Sequence, residues 1–249
     1  MFRIGFDMDG TLADFRAAFR EVEVRLFGPQ PALDDDQPER EEAAQAAGSP
    51  LDPAGSPLEP AGSPEPAGPT PPEADSPTDT RRRRRNVWKA IQATPDFWRT
   101  LAPMDPLAVA RIHRLMLLHR WEVFFITQRP RTDGDTVQRQ TQKWLVEQGF
   151  DLPSVLVLGG SRGAAAAALR LDYHVDDSMQ NCIDVISDAS ARPLLVAGRA
   201  DAAEISSARA LGIGTVGSIG EAVDILEKAT IARATPGLLE RLAALVGWR

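Results

Sequence analysis

Short apolar runs alternate with stretches of helical periodicity along most of this chain, and the alternation predicts its elements. Phe2, Ile4 and Phe6 form the first run, a strand that leads into Asp7, Asp9 and a turn at Gly10. From Leu12 to Phe27 the apolar positions Phe15, Ala18, Phe19, Val22 and Leu26 recur at helical spacing. Leu107 to His119 is a second apolar-rich helix, and the continuous run after it, WEVFFIT, suits a strand buried on both faces and ending at Thr127. A helix over about Thr132 to Gly149, a strand Ser154 to Leu158, a glycine-rich turn and an alanine-rich helix follow. Tyr173 to Val175 predicts a short strand ending in Asp176, Asp177 and Ser178; a helix then runs through Asp188. Strands Pro193 to Ala197 and Gly214 to Val216 and helices Ser218 to Ala229 and Pro236 to Val246 complete the reading.

Strands alternating with helices predict an α/β protein with a doubly wound, Rossmann-like, mostly parallel sheet. The pattern breaks once. Between Gly28 and Thr80 lie 13 of the 20 prolines and an imperfect repeat, AGSPLDP, AGSPLEP, AGSPEP, which buries too little apolar surface to offset its ordering entropy. A disordered, semi-extended linker over 29–85 is expected, closed by Arg81 to Arg85 as a solvated run balanced by the acidic residues around it. Asn86 to Pro103 resumes structured chain with Trp88, Phe97 and Trp98. The resulting domain plan is a core from 1–14 and 104–249 and a small helical cap, inserted after the first strand, from 15–28 and 86–103.

The formal charge of −7 argues against a partner that is a nucleic-acid polymer. A single cysteine, Cys182, excludes an internal disulfide and a zinc cluster, so a reducing cytoplasmic setting is the expectation. No basic leader precedes the first strand, and no apolar run is long enough to span a membrane.

Candidate chemistry gathers where the predicted strands end. In a parallel sheet the loops that follow the strands share one edge, the edge at which ligands bind. Those loops carry Asp7 with Asp9, then Thr127 with Gln128, then Arg162 behind Ser161, then Asp176 with Asp177. A calcium loop opening at Asp7 would need Asp or Asn at its fifth position and Glu at its twelfth, where Thr11 and Ala18 stand. The glycines of GGSRG fit neither a dinucleotide fingerprint nor a P-loop. Arg129 and Arg131 flank Thr127 and read either as contacts to a second anionic group or as solvated loop residues; none of the three histidines is assigned chemistry. Phe15, Phe97 and Trp98 either line a substrate pocket or pack the cap onto the core.

The order DMDGT, strand-Thr, basic residue at a helix start, strand-DD resembles the haloacid dehalogenase superfamily of aspartyl phosphotransferases over residues 1–28 and about 86–190. DMDGTLADF with PDFWRTLAPM and HVDDS is most similar to its 5′(3′)-deoxyribonucleotidase branch. The resemblance implies a Mg²⁺-dependent phosphomonoesterase in which Asp7 is the nucleophile and Asp9 the general acid and base. It implies phosphate contacts from Thr127, the Gln128 backbone N–H and Arg162, and metal ligation by Asp7, the Asp9 carbonyl and Asp176, with Asp177 either a direct ligand or one step removed. The expected partner is a small phosphorylated substrate, a nucleoside monophosphate on the nucleotidase reading. The alternatives are a sugar phosphate or other small phosphomonoester, or a non-catalytic phosphate-binding protein. The chain departs from the pattern in its third motif, where the superfamily usually has lysine. The only lysines are Lys89, Lys143 and Lys228, none at that helix start, and Arg162 is the substitute.

Overall fold

The computed structural model describes residues 1–29, 77–233 and 245–247. Most of the proline-rich insert and most of the helix expected over Pro236 to Val246 lie outside the described residues.

Among the described residues, six strands form one sheet: β1 (Arg3–Asp7), β2 (Glu122–Thr127), β3 (Ser154–Val157), β4 (Tyr173–Asp176), β5 (Arg192–Val196) and β6 (Gly214–Val216). Their order is β3-β2-β1-β4-β5-β6, and every neighbouring pair is parallel. The chain therefore builds outward from β1 through β2 to β3, then returns to the other side of β1 for β4. That reversal opens a crevice at the carboxyl ends of β1 and β4, the position at which ligands bind in sheets of this kind. Ile4 and Phe6 on β1 and Val175 on β4 are fully buried, as central strands covered on both faces require.

The helices are α1 (Phe15–Phe27), α2 (Pro77–Gln92), α3 (Ala108–His119), α4 (Val137–Glu147), α5 (Arg162–Leu169), α6 (Met179–Asp188), α7 (Ala202–Ala210) and α8 (Ile219–Ala232), with a short 3₁₀ turn at Phe97–Arg99. Side-chain N-caps that the sequence offers are used: Asp14 accepts from Ala17 N at 3.0 Å, Ser161 from Gly163 N at 3.0 Å and Ser218 from Glu221 N at 3.2 Å. Among the described residues no helix is long and apolar enough to cross a membrane.

Four of the differences from the sequence expectation have a local reason. α1 starts at Phe15 rather than Leu12, because Leu12 N and Ala13 N both bond to Met8 O (2.9 and 2.8 Å) in a tight turn behind Gly10. α4 starts at Val137 rather than Thr132, because residues 133–135 are held by Asp96, whose N donates to Asp133 O and whose carboxylate accepts from Asp135 N, each at 2.8 Å. α7 was not expected, since Ala208 is its only buried residue and it shows no apolar stripe. The arginine run expected to close the linker lies instead inside α2.

That last correction has an energetic basis. Glu23 on α1 is fully buried, and it pairs with Arg20 on its own helix and with Arg83 of the run at 2.8 Å. Arg83 also lies over the Phe27 ring, 5.9 Å from its centroid. Phe15, Phe19 and Trp88 join the same two helices through aromatic contacts, Phe15 and Trp88 stacked at 5.4 Å. Glu23→Gln removes the buried carboxylate that Arg20 and Arg83 share, and breaking a buried pair from one side costs about 3–5 kcal/mol. Urea unfolding at unchanged m-value is expected to report a loss of that size; a loss under about 1 kcal/mol would mean that solvent already screens the pair.

Candidate active site at the carboxyl edge of the sheet

Three carboxylates converge at the crevice. Asp7 ends β1, Asp176 ends β4, Asp177 follows it, and an oxygen from each lies within 4.8 Å of the others. Asp7 and Asp176 are buried and Asp177 is exposed. Gly10 makes the approach possible: its φ of +83° is the left-handed backbone that glycine adopts without strain, and a β-carbon there would collide with the Asp177 carboxylate.

Arg162, the first residue of α5, enters from the β3 side with 2 % exposure. Its Nη2 donates to Asp7 Oδ1 at 2.6 Å, and its Nε lies 3.7 Å from Asp176 Oδ2. Close packing of α5 on α6 brings it this far inward, since a side chain at Gly163 would strike the Asp184 carbonyl. Asp176 is held on every side: His174 Nε2 lies at 2.9 Å, Ser178 N donates at 2.9 Å and Asn181 Nδ2 donates to both oxygens at 3.1 and 3.2 Å.

The two buried carboxylates respond in opposite directions. Burial and then the Asp176 charge push Asp7 well above the ordinary carboxylate range; Arg162 opposes this, and Asp177 and Asp9 add to it. Burial also raises Asp176, but the His174 hydrogen bond and charge, Arg162 and the Ser178 N–H together bring it below the ordinary range. A site of three carboxylates faced by one guanidinium has the hard-oxygen donor set that suits a small divalent cation such as Mg²⁺, and a cation there would relieve the repulsion that raises Asp7.

Thr127, 1 % exposed, stands at the end of β2 one residue beyond the Asp7–Ile126 pairing. Its Oγ1 lies 3.5 Å from Asp9 Oδ2. Gln128 is half-buried and its side chain donates to Gly160 O at 2.7 Å, which ties the loop after β2 to the loop before α5. Phe15, Phe97 and Trp98 do not line an open pocket. They are 6, 4 and 1 % exposed, and they pack on one another at centroid distances of 5.2 to 6.5 Å inside the main core. That burial favours the packing alternative for all three, their rings lying between α1, α2 and α4. A cavity of about 310 Å³ opens instead beside Gly10, Thr11 and Asp177, with Met104 and Ile219 on its wall and Arg16 at its margin. A larger cavity of about 670 Å³, between Phe2, Arg170, Tyr173 and Arg192, lies at the opposite, amino edge of the sheet, away from the carboxylates.

Two residues hold places that the sequence reading leaves open: His174 is assigned no chemistry there, and Arg129 reads as either a contact to a second anionic group or a solvated loop residue. His174, given no chemistry, is fully buried against Asp176; its spacing two residues before that aspartate on one strand was the available signal. Arg129, an apparent loop arginine, is 3 % exposed and its guanidinium grips the Asp9 carboxylate, with Nη2 at 2.7 Å from Oδ1 and Nε at 2.9 Å from Oδ2.

No protein-family model matches the chain. No curated protein matches it either. Solved structures do: a putative β-phosphoglucomutase from Thermotoga maritima aligns with TM-score 0.50 and 19 % identity over 91 % of this chain and 99 % of its own. A family IA, variant 3 haloacid dehalogenase-type hydrolase from Entamoeba histolytica aligns at 0.47 and 13 % over 89 % and 95 %, and a 2-haloacid dehalogenase from Pseudomonas syringae at 0.42 and 14 % over 94 % and 100 %. The first of these establishes the shared α/β fold.

The shift of Asp7 sets a stability expectation. A carboxyl raised above its unfolded value contributes nothing at low pH and costs stability as pH rises through its folded value. Asp7→Asn removes that cost, so in chelator at pH 7 the variant is expected to melt above the wild type. Saturating Mg²⁺ should reverse the order by stabilising the wild type about 2.7 kcal/mol at a hundred times its Kd. A lower melting temperature for Asp7→Asn in chelator would show that Arg162 already offsets the buried charge.

Proposed function

We propose that this chain is a phosphomonoester hydrolase of the haloacid dehalogenase type, dependent on Mg²⁺ and working through a phosphoryl group carried on Asp7. The observation behind the proposal is the meeting of Asp7, Asp176, Asp177 and Arg162 at one point on the carboxyl edge, with Thr127 on the neighbouring strand. An acidic cluster alone would serve for cation binding; a buried cation-facing carboxylate at a strand end, beside a buried guanidinium, suits capture of a phosphate dianion.

In this reading Asp7 Oδ attacks phosphorus, forms the P–O bond to the aspartate and breaks the bond to the leaving oxygen. Asp9 gives that oxygen a proton, then takes one from the water that cleaves the aspartyl phosphate, so that acid and enzyme are both regenerated. Arg162 and the Thr127 hydroxyl hold non-bridging oxygens as charge shifts onto them. Asp7, the Asp9 carbonyl and Asp176, with Asp177 beside them, would hold Mg²⁺, which would supply the positive charge that lets two anions meet. His174 and Asn181 keep Asp176 oriented and ionised for that task.

For the substrate we propose a small phosphomonoester. The sequence likeness to deoxyribonucleotidases favours a nucleoside monophosphate. The structure supplies an observation on the other side: Phe15, Phe97 and Trp98 are buried among themselves, and the cavity beside Asp177 is lined by aliphatic and charged side chains rather than rings. A sugar phosphate or comparable small ester is therefore the second reading. The α1–α2 pair and residues 93–103 would act as the cover over the site, and with one buried cysteine the setting we propose is a reducing cytoplasm.

Phosphate release from a panel of deoxyribonucleotide, ribonucleotide and sugar monophosphates, with Mg²⁺ and with chelator, tests the proposal. Metal-dependent release is expected, lost in Asp7→Asn, with the ranking of substrates deciding between the two readings. A folded, Mg²⁺-loaded protein that releases phosphate from none of them would return the chain to the phosphate-binding class.

A further inference from the structure

Arg129 is placed unlike a surface arginine or a substrate-binding one. Its side chain is completely buried, and every guanidinium nitrogen is engaged. Nε faces both Asp9 oxygens at 3.1 and 2.9 Å, Nη2 donates to Oδ1 at 2.7 Å, and Nη1 donates to Thr141 Oγ1 on α4 at 3.0 Å. The guanidinium plane lies over the Trp98 ring, 4.9 Å from its centroid. Trp98 is itself pinned by the same segment: its Nε1 donates to Pro130 O at 2.9 Å and its backbone N to Gln140 Oε1 at 3.1 Å.

Burying a guanidinium is costly unless its partners are complete, and here they are. What the arrangement yields is one carboxylate held in one orientation. Asp9 sits on a tight turn next to a glycine, and its side chain also meets the Thr127 hydroxyl, at the limiting distance of 3.5 Å. The anchor points of Arg129 lie elsewhere, on α4 and on the 3₁₀ turn of the cover. A planar fork fixes the plane of a carboxylate, which a lysine ammonium does not.

We infer that Arg129 is a positioning residue for Asp9: through Thr141 and Trp98 it anchors the carboxylate that must present the same oxygen in two successive steps. The inference rests on the phosphatase reading of the site. It makes Arg129 act on proton transfer rather than on phosphate binding, and that separates it from Arg162 and Thr127.

The test compares two leaving groups. p-Nitrophenolate leaves from phosphorus with little need of a proton, whereas the alkoxide of glycerol 2-phosphate requires one. Arg129→Met is expected to lower kcat on glycerol 2-phosphate by ~10²-fold or more, the scale of a lost general acid, with KM changed less than ~3-fold. With p-nitrophenyl phosphate the first-turnover burst of p-nitrophenol should persist while the steady state slows, because the second step still needs Asp9 as base. The double variant Asp9→Asn/Arg129→Met should be no slower than Asp9→Asn alone, since both remove one function. Thr141→Val, which removes only the remote anchor and keeps the side-chain volume, should show the same leaving-group pattern at ~3- to 10-fold and carries the test if Arg129→Met does not fold. Equal slowing of both substrates without a burst, or an additive double variant, overturns the inference. A wild type that turns over neither these esters nor any of the nucleotide and sugar monophosphates removes the phosphatase reading, and the inference with it; a wild type active on both esters with an additive cycle removes the inference alone.

Discussion

Everything at the carboxyl edge depends on keeping three carboxylates close together, two of them buried away from the water that would screen them. Two unit charges about 4 Å apart repel by roughly 4 kcal/mol at an effective dielectric constant near 20, so the cluster exists only because the fold compels it. The compulsion comes from parallel strands. β1 and β4 are hydrogen-bonded neighbours whose last residues are Asp7 and Asp176, and the sheet that sets their separation is fixed by a core of Ile4, Phe6, Val175 and Leu194 on either side. Apolar burial in the strands thus holds charges where they would not gather by themselves. Burial and then the neighbouring carboxylate charges raise Asp7, Arg162 offsets part of this, and a cation placed among the carboxylates would relieve their repulsion.

The opposite flank of the site is organised by aromatic packing. Phe15, Phe19, Trp88, Phe97 and Trp98 form a single patch that joins α1, α2 and the 3₁₀ turn to the same continuous core as the sheet. Its last ring, Trp98, is the surface on which Arg129 lies, and Arg129 reaches Asp9. A chain of contacts therefore runs from the buried Glu23–Arg83 pair that docks α2, through stacked rings, to the second aspartate of the DMDG turn. Residues that look like a binding surface in the sequence are in the fold the support for a carboxylate.

The strands and their terminal chemistry were legible because period and position suffice to read them. A central parallel strand is a continuous apolar run, and the residue after it falls on the ligand edge whatever the rest of the chain does; Asp7, Thr127, Asp176 and Asp177 were found in that way. Arg162 was legible as the residue behind a serine N-cap. What failed to show are features set by long-range partners. Arg129 is separated from Asp9 by 120 positions, and no local pattern distinguishes an arginine that will be buried against a carboxylate from one that will be solvated. The same holds for Arg83, one of five consecutive arginines, which alone of that run pairs with Glu23 among the ion pairs described. α7 was invisible for the converse reason, an alanine-rich helix with almost no buried face. Phe97 and Trp98 were read as aromatic and close to the site, which they are, but burial is a property of the neighbours that the sequence does not order.

The arginine at 162, where the family resemblance leads one to expect lysine, has a geometric consequence. An ammonium is a point donor on a flexible stem; a guanidinium spreads its donors along two edges of a rigid plane. In this site that spread lets one side chain bond Asp7 through Nη2 and lie near Asp176 through Nε, so a single cation spans both strand ends. The gain is a pre-aligned pair of carboxylates. On the proposed reading the guanidinium also competes, because Asp7 Oδ1, which accepts from Arg162 at 2.6 Å, is one of only two oxygens that the aspartate would divide between a metal and phosphorus. An arriving phosphate would offer the guanidinium a second oxyanion, and a planar fork can pass between two such groups by pivoting about its own plane. On that reading the arginine would take the place of lysine and hold the proposed nucleophile until a phosphate arrives to share the guanidinium.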